Sequence, residues 1–438
     1  MTGSRDELFR RFNVLQKPQP RYVVWELTLR CDQHCTHCGS RAGSARSTEL
    51  STDQALEVVK QLAALGTFEC VLIGGEAYLH PGFLDVIRAL RAHGVRPSMT
   101  TGGRNITPAL ARDMAEAGLH TVSVSIDGLE ATHDAMRASK GSFAAATAAL
   151  RALTAAGIRT ASNINLNRFN QGDLEPLAEH LVALGISAWQ VQLTAPLGRA
   201  ADRAAMLLQP WDLLELMPRI AALKRRLWDD AHISLQPGNN LGYFGPEEAL
   251  LRSPDANVGD HFQGCQAGQH VMGIESNGAV KGCPSLQSQY IGGNLTTQPL
   301  AEMWANAPKL QLTRRRTVDD LWGFCRTCPF ASTCLGGCTF TAHAFFDRPG
   351  NNPYCHYRAR SLAARGRRER LVPARRAPGA PFDNGTFELI EEPFDSVEPP
   401  LPGPKPTTWR LSARRYEAPG TAPAESSSTP QSSATTTE

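Results

Sequence analysis

The chain has 438 residues, of which 42% are hydrophobic and 20% charged, with a net charge of +3. That length provides two or three domains with real cores, while the near balance of charge excludes a global field for nucleic acid. The N-terminus MTGSRDELFRRFN has no apolar segment of the secretory kind, and no apolar run approaches the roughly 18 residues of a membrane span.

The first strand-like run is Tyr22–Leu29. Directly after it, CDQHCTHC places Cys31, Cys35 and Cys38 at x3 and x2 spacing, with no fourth Cys within thirty residues. Structural metal sites close with four protein ligands, whereas a site that must take a small molecule keeps a position open. Ser51 with Gln54 forms a capping-box pattern, followed by Leu56, Val59, Leu62 and Ala63 at helical spacing. Five helical patterns end in Gly66, Gly94, Gly118, Gly157 and Gly185, the residue that best tolerates a left-handed C-cap. A strand-like run follows each: Phe68–Ile73, Pro97–Thr101, Thr121–Ile126, Thr160–Asn165 and Ala188–Thr194.

Six βα steps predict a parallel sheet with helical crossovers. A doubly wound sheet and a curled partial barrel both satisfy the periodicity. In either, the chemistry lies at the C-terminal strand ends. Gly74-Gly75-Glu76 and Ser125-Ile-Asp127 fall there, like the Cys loop. Cys70, mid-strand, reads as a small core residue.

Another amphipathic helix spans Trp211 to Trp228. Residues 265–355 then carry seven of the eleven Cys in a Gly-rich stretch too poor in apolar runs to build much core, so it reads as stapled by metal. An odd Cys count without an export signal argues for metal-bound thiolates in a reducing cytoplasm rather than disulfides. The Arg-rich 358–376 and the acidic run Glu388–Glu398 read as a solvated helix end leading into a linker, or as a grip for an acidic leader. From 372 to 438 the chain is Pro-rich and then Ser/Thr/Pro-rich, and is expected to be disordered.

The Cys31/Cys35/Cys38 loop in this position resembles the radical S-adenosylmethionine (radical SAM) superfamily. The resemblance implies a six-stranded parallel partial (β/α)6 TIM-like barrel and a [4Fe–4S] cluster on the three thiolates. Its free iron would chelate S-adenosylmethionine (SAM) and cleave it to a 5′-deoxyadenosyl radical that abstracts hydrogen. Gly74, Gly75 and Glu76 match the segment that binds the methionine amino group, although Ala77 replaces the usual Pro. His37 stands where an aromatic residue is common. Ser125, Asp127 and Asn163 correspond to contacts with ribose and carboxylate, and Arg199 in Pro196-Leu-Gly-Arg to a carboxylate partner.

The array Cys265-x12-Gly278-x4-Cys283, Cys325-x2-Cys328-x5-Cys334-x3-Cys338 and Cys355 resembles the SPASM domain. By that resemblance Cys325, Cys328, Cys334 and Cys355 hold one auxiliary [4Fe–4S] cluster completely. Cys265, Cys283 and Cys338 hold another, whose fourth ligand is a non-Cys residue such as His261 or Asp260, water, or substrate. A zinc clip is the alternative for the four close cysteines Cys325, Cys328, Cys334 and Cys338.

The expected organisation is an N-terminal lead-in (1–21), a barrel (22–210), a bridge (211–258), a SPASM domain (259–371) and a tail (372–438). The resemblance implies a cytoplasmic enzyme that modifies a peptide or protein, with a flavodoxin-like electron donor and no membrane or nucleic-acid partner. Only twenty-one residues precede the first strand, leaving no room for a leader-binding domain, so a separate carrier protein or the bridge segment Gly238–Glu248 would present the substrate. The competing readings are dehydrogenation of a small alcohol or sugar, and a zinc-stabilised, non-catalytic binding module.

Overall fold

A computed structural model describes residues 17–253 and 260–399. Expectations for residues 1–16, 254–259 and 400–438, including the Ser/Thr/Pro tract, lie outside the described residues.

Strands β1 (Tyr22–Thr28), β2 (Glu69–Gly74), β3 (Arg96–Thr101), β4 (Thr121–Ser125), β5 (Arg159–Leu166) and β6 (Ala188–Leu193) run parallel in sequence order. Helices α1 (Thr52–Ala64), α2 (Phe83–Ala92), α3 (Pro108–Ala117), α4 (Glu130–Arg137), α5 (Ser142–Ala155) and α6 (Leu174–Ala183) form the crossovers. α1 starts with the expected capping box, in which Ser51 accepts from the Gln54 N–H and the Gln54 side chain accepts from the Ser51 N–H. It buries Ala55, Val58, Val59 and Leu62 against the sheet. The five helix-terminating glycines all have φ between +66° and +95°, so the chain reverses there without Cβ strain.

The sheet extends beyond the six expected strands. After α7 (Leu213–Ala231), β7 (Ser234–Pro237) pairs parallel to β6, and β8 (Val271–Ile274) pairs parallel to β1 on the opposite edge. β9 (Ala279–Lys281) and β10 (Gly293–Asn294) continue from β8 in antiparallel fashion, making ten strands in the order β10-β9-β8-β1-β2-β3-β4-β5-β6-β7. The Cys-rich region is therefore built onto the barrel sheet through β8. The sheet curls until Tyr22 and Val24 of β1 share a cavity wall with Gln190 and Gln236 of β6 and β7.

Residues 372–399, placed in the expected disordered tail, are instead structured. β11 (Arg367–Arg375) and β12 (Thr386–Pro393) form an antiparallel hairpin, with Leu371 and Phe387 in the main core. The basic and acidic runs pair with each other across its register: Arg367 with Glu391 (2.9 Å), Arg368 with Glu392 (2.8 Å) and Arg370 with Glu392 (2.9 Å). Arg358 is buried on Glu369 at 2.6 Å. The run is thus neither a linker nor an open grip, because opposite charges facing one another across a hairpin stabilise its register.

Candidate functional site

The loop after β1 is shaped by backbone carbonyls and two clamps. Thr28 Oγ1 and the Leu29 N–H donate to Glu49 at 2.7 and 2.8 Å, and the Cys31 N–H donates to Gly43 O at 2.8 Å. From the far side of the barrel, Arg199 donates to Cys35 O (2.8 Å) and Ala42 O (3.0 Å). Arg199 thus holds the loop backbone through Nε and Nη2 while bordering the cavity. Gly75 lies against the same loop: a Cβ there would overlap Arg30 O and the Cys31 Cβ, and one on Gly74 would overlap Thr28 O. These glycines let the end of β2 touch the Cys loop, a packing requirement as much as a way of approaching a ligand.

Cys31, Cys35 and Cys38 are free and border a cavity of about 410 Å³ at the C-terminal strand ends. His37, Gly74, Gly75, Glu76, Ser125, Asn163 and Arg199 line the same cavity. Glu76 is 2% exposed and accepts from Thr101 Oγ1 (2.5 Å) and the Gly102 N–H (2.7 Å). Burial pushes its carboxyl up to about 7, against the pull of those two donors. The Cys31 thiol is pushed up to about 12 by burial and then by Glu76. Ligand atoms of Cys31, Asp32 and Glu76 lie within 4.8 Å of one another. Burial thus favours the protonated forms of Cys31 and Glu76, and a bound cation would restore the charged ones. The buried Gln33 Nε2 and His37 Nδ1, on side chains that line the cavity, also lack a hydrogen-bond partner among the described residues. Thiols, acids and orphaned donors together fit an iron cluster with a cationic ligand.

Asp127 is placed differently from Ser125 and Asn163. It is fully buried behind the cavity, its Oδ2 2.6 Å from Arg137 and 3.3 Å from His37, and its Oδ1 accepts from the Asn165 N–H at 3.0 Å. Although burial opposes ionisation, the Arg137 and His37 charges hold its carboxyl well below the usual carboxylate range. Asp127 therefore stands behind the cavity wall, with both oxygens engaged by protein groups. Arg137 is the residue that sequence reasoning missed. It lines the cavity, pairs with Asp127 and donates to Cys35 Sγ at 3.6 Å. A buried guanidinium there favours the thiolate needed for metal binding. Its position in the last turn of α4 carries no recognisable signal.

Cys325, Cys328, Cys334 and Cys355 surround a small enclosed space walled by Tyr243, Phe244, Phe324, Phe330 and Tyr357. Phe244 and Phe330 stack at 4.3 Å, and burial raises all four thiols. Cys265, Cys283 and Cys338 form the second group. Burial, then Cys265 and Cys338, push the Cys283 thiol up to about 12. Cys283 and Cys338 open onto a cavity of about 340 Å³, where Asp260 and His261 also stand. The half-exposed His261 ring meets Gln263 Nε2 at 2.6 Å. Cys70 is fully buried in the core, as expected.

The cavities of about 340 and 410 Å³ share Tyr22, Val24, Gln190, Gln192, Asn240 and Phe340 as walls, and so adjoin inside the barrel, together making up its lumen. At one end is Cys31/Cys35/Cys38, at the other Cys283 and Cys338. Phe382, from the loop between β11 and β12, closes part of the wall, with Lys281 4.0 Å over its ring.

The radical SAM superfamily model matches residues 25–181, and that of the SPASM iron–sulfur cluster-binding domain matches 265–329. The chain is 32% identical over 349 residues to mycofactocin maturase MftC of Mycobacterium ulcerans, covering 77% of this chain and 88% of that one. It is 29% identical to the AdoMet-dependent heme synthase of Methanosarcina barkeri, covering 77% and 97%. Streptococcus suis SuiB bound to S-adenosylmethionine has the same fold, with a TM-score of 0.59 at 15% identity, covering 80% of this chain and 78% of that one. So does anSMEcpe with bound AdoMet and peptide, with a TM-score of 0.60 at 16% identity, covering 77% and 94%. The chain belongs to the radical SAM superfamily, in the group with a C-terminal SPASM domain. It accordingly uses a SAM-binding [4Fe–4S] cluster and auxiliary iron–sulfur clusters, which displaces the zinc-module alternative. No helix among the described residues is long and apolar enough to cross a membrane.

Proposed function

We propose that this enzyme modifies a peptide or protein substrate held in the lumen, by abstraction of a hydrogen atom. A [4Fe–4S] cluster held there would supply the electron for reductive cleavage of bound SAM, the source of the hydrogen-abstracting radical. Cys31, Cys35 and Cys38 hold this cluster, and Arg137 stabilises the Cys35 thiolate. Glu76 meets the ammonium of SAM, and Ser125 and Asn163 meet its ribose and carboxylate. Asp127 orients His37 and Arg137, and Arg199 fixes the loop. Cys325, Cys328, Cys334 and Cys355 hold one auxiliary cluster, while Cys265, Cys283 and Cys338 hold another whose fourth position faces the lumen. A flavodoxin-like protein delivers electrons, a carrier protein presents the substrate, and the setting is a reducing cytoplasm.

The observation that carries the peptide reading is the charge of the lumen. Among the described residues three arginines stand on its wall, and each is already committed. Arg137 pairs with Asp127, Arg199 holds loop carbonyls, and Arg252 donates to Leu241 O (2.6 Å) and Gly242 O (2.8 Å). A neutral peptide segment suits such a wall. The relative named a heme synthase supports a second reading, a tetrapyrrole substrate, but burying several carboxylates without cations is costly. Dehydrogenation of a small alcohol remains the third.

The test is anaerobic turnover with SAM and dithionite, offering peptides encoded beside this gene, coproporphyrin III or small alcohols. Formation of 5′-deoxyadenosine with a mass change in a peptide is expected. Absence of 5′-deoxyadenosine in the fully reconstituted protein would remove the enzyme reading, and turnover of porphyrin or alcohol alone would remove the peptide.

A further inference from the structure

β6 alternates strictly. Trp189, Val191 and Leu193 are buried in the core on one face, whereas Gln190 and Gln192 are half-buried on the other and border both cavities. The neighbouring strands repeat the choice. In register, Gln190 lies beside Asn163 of β5 and Gln236 of β7, and Gln192 lies beside Asn165. Asn165 and Gln236 also border the lumen.

These carboxamides differ from those that serve the fold. Asn163 is bonded to Ser125, and Asn240 holds both the N–H and the C=O of Leu193. By contrast, the side-chain amides of Asn165, Gln190, Gln192 and Gln236 have no partner among the described residues. The opposite wall is apolar there, with Tyr22, Val24, Val71 and Ile73. Partly buried amides seek partners, and a concave site with a few convergent polar groups is how orientation is imposed on a ligand.

We infer that Gln190, Gln192 and Gln236 form a hydrogen-bonding rack for the backbone of an extended, neutral peptide lying along the lumen between the two three-cysteine sets. Each carboxamide offers one acceptor and two donors, the complement of a peptide group. Gln190 and Gln192 are two residues apart on a strand, roughly 6.6 Å, which matches the two-residue repeat of an extended peptide. Recognition of the backbone leaves side-chain choice to the apolar wall. The inference rests on the peptide reading above.

The test uses holoenzyme with SAM bound and equilibrium dialysis, under anaerobic conditions, of labelled N-acetyl-(Gly-Ala)3-amide, with coproporphyrin III as counter-probe. Gln190→Leu, Gln192→Leu and Gln236→Leu should each weaken peptide retention about fivefold, with iron content and visible absorption unchanged. Equal retention by the wild type and all three variants overturns the rack while leaving the peptide reading intact. Failure of the wild type to retain the peptide overturns the rack, and retention of coproporphyrin III in its place overturns the peptide reading as well. A variant that loses iron is replaced by the corresponding Gln→Met, whose bulk is similar and which makes the same prediction.

Discussion

The loop between β11 and β12 is held on the cluster-binding loop by Asp383, and removing that carboxylate should open it. Arg41 Nε meets Asp383 Oδ1 at 2.8 Å, with both side chains mostly buried, and Asp383 also accepts from the N–H groups of Gly379 and Ala380. The backbone adds two bonds, from the Gly198 N–H to Asp383 O at 2.7 Å and from the Phe382 N–H to Gly39 O at 3.2 Å. In Asp383→Ala, Arg41 keeps Asp202 and Gly198 O, so the guanidinium is not left alone. The loss is then about 3 kcal/mol, the upper part of the range for a charged hydrogen bond. The hairpin stays docked through Leu371 and Phe387, so the cost falls on local opening, which becomes about 150-fold more frequent. Hydrogen exchange read by mass spectrometry on 376–386 and 194–200 should accelerate accordingly. Asp202→Ala, which removes a half-exposed partner, should change exchange by no more than about fivefold. Unaltered exchange at 376–386 in Asp383→Ala would refute the clamp.

The wild-type holoprotein should contain about twelve iron atoms, and replacing Cys31, Cys35 and Cys38 together by Ala should remove about four of them. Anaerobic metal analysis reads this, and a loss of all iron would contradict separate sites. Asp127→Asn leaves Arg137 buried beside a neutral amide, at a cost of about 3–5 kcal/mol, or an apparent Tm about 3–5 °C lower. Adding Arg137→Met should recover part of it, and an unchanged Tm in the single variant would show that the pair is not holding the site. Burial, with Arg137, pushes His133 down to about 3. Its neutral ring accepts the Asp127 N–H at 3.0 Å. A histidine lowered in the folded state stabilises fully above its unfolded value near 6.5 and loses that contribution as the pH falls. Stability should therefore drop by up to about 1.4 kcal/mol per pH unit below 6.5. Melting curves of His133→Gln between pH 7.0 and 5.5 should be flatter than wild type, and superimposable curves would remove His133 as the cause.

What was legible in the sequence was what local chemistry dictates. The glycine C-caps, the Ser51 capping box and the six parallel strands depend on short-range pattern, and each stands within a residue or two of its expected place. The ten cysteines outside the core depend on spacing alone. β7 and β8 were not legible, because runs of four residues become strands only when a neighbouring edge pairs them. The β11–β12 hairpin was hidden for a related reason. Arg367–Arg375 contains Pro373 and reads as a charged linker until Glu391 and Glu392 are known to face it. Arg137 and the place of Asp127 depend on how α4 packs beneath the Cys loop, which no spacing records. The amides of β6 were visible as Gln alternating with Trp, Val and Leu. Strands of a parallel sheet are usually apolar on both faces, so that alternation could have marked an inward face lined by polar groups.

The lumen ties these pieces into one requirement. A substrate held between Cys31/Cys35/Cys38 and Cys283/Cys338 must be reached from both ends, which demands that the SPASM region be fixed to the barrel. β8 meets that demand by pairing with β1, the strand that carries the Cys loop, so Cys31, Cys35 and Cys38 and, beyond β9, Cys283 are attached to one sheet. Gly273 of β8 packs directly on the Cys283–Pro284 backbone, carrying that register through to the second set. Displacing Cys283 relative to the Cys31 loop would therefore require breaking the sheet, whereas the proposed amide rack lies on the β5–β7 wall. That wall carries none of the thiols, so its side chains can change without altering either set.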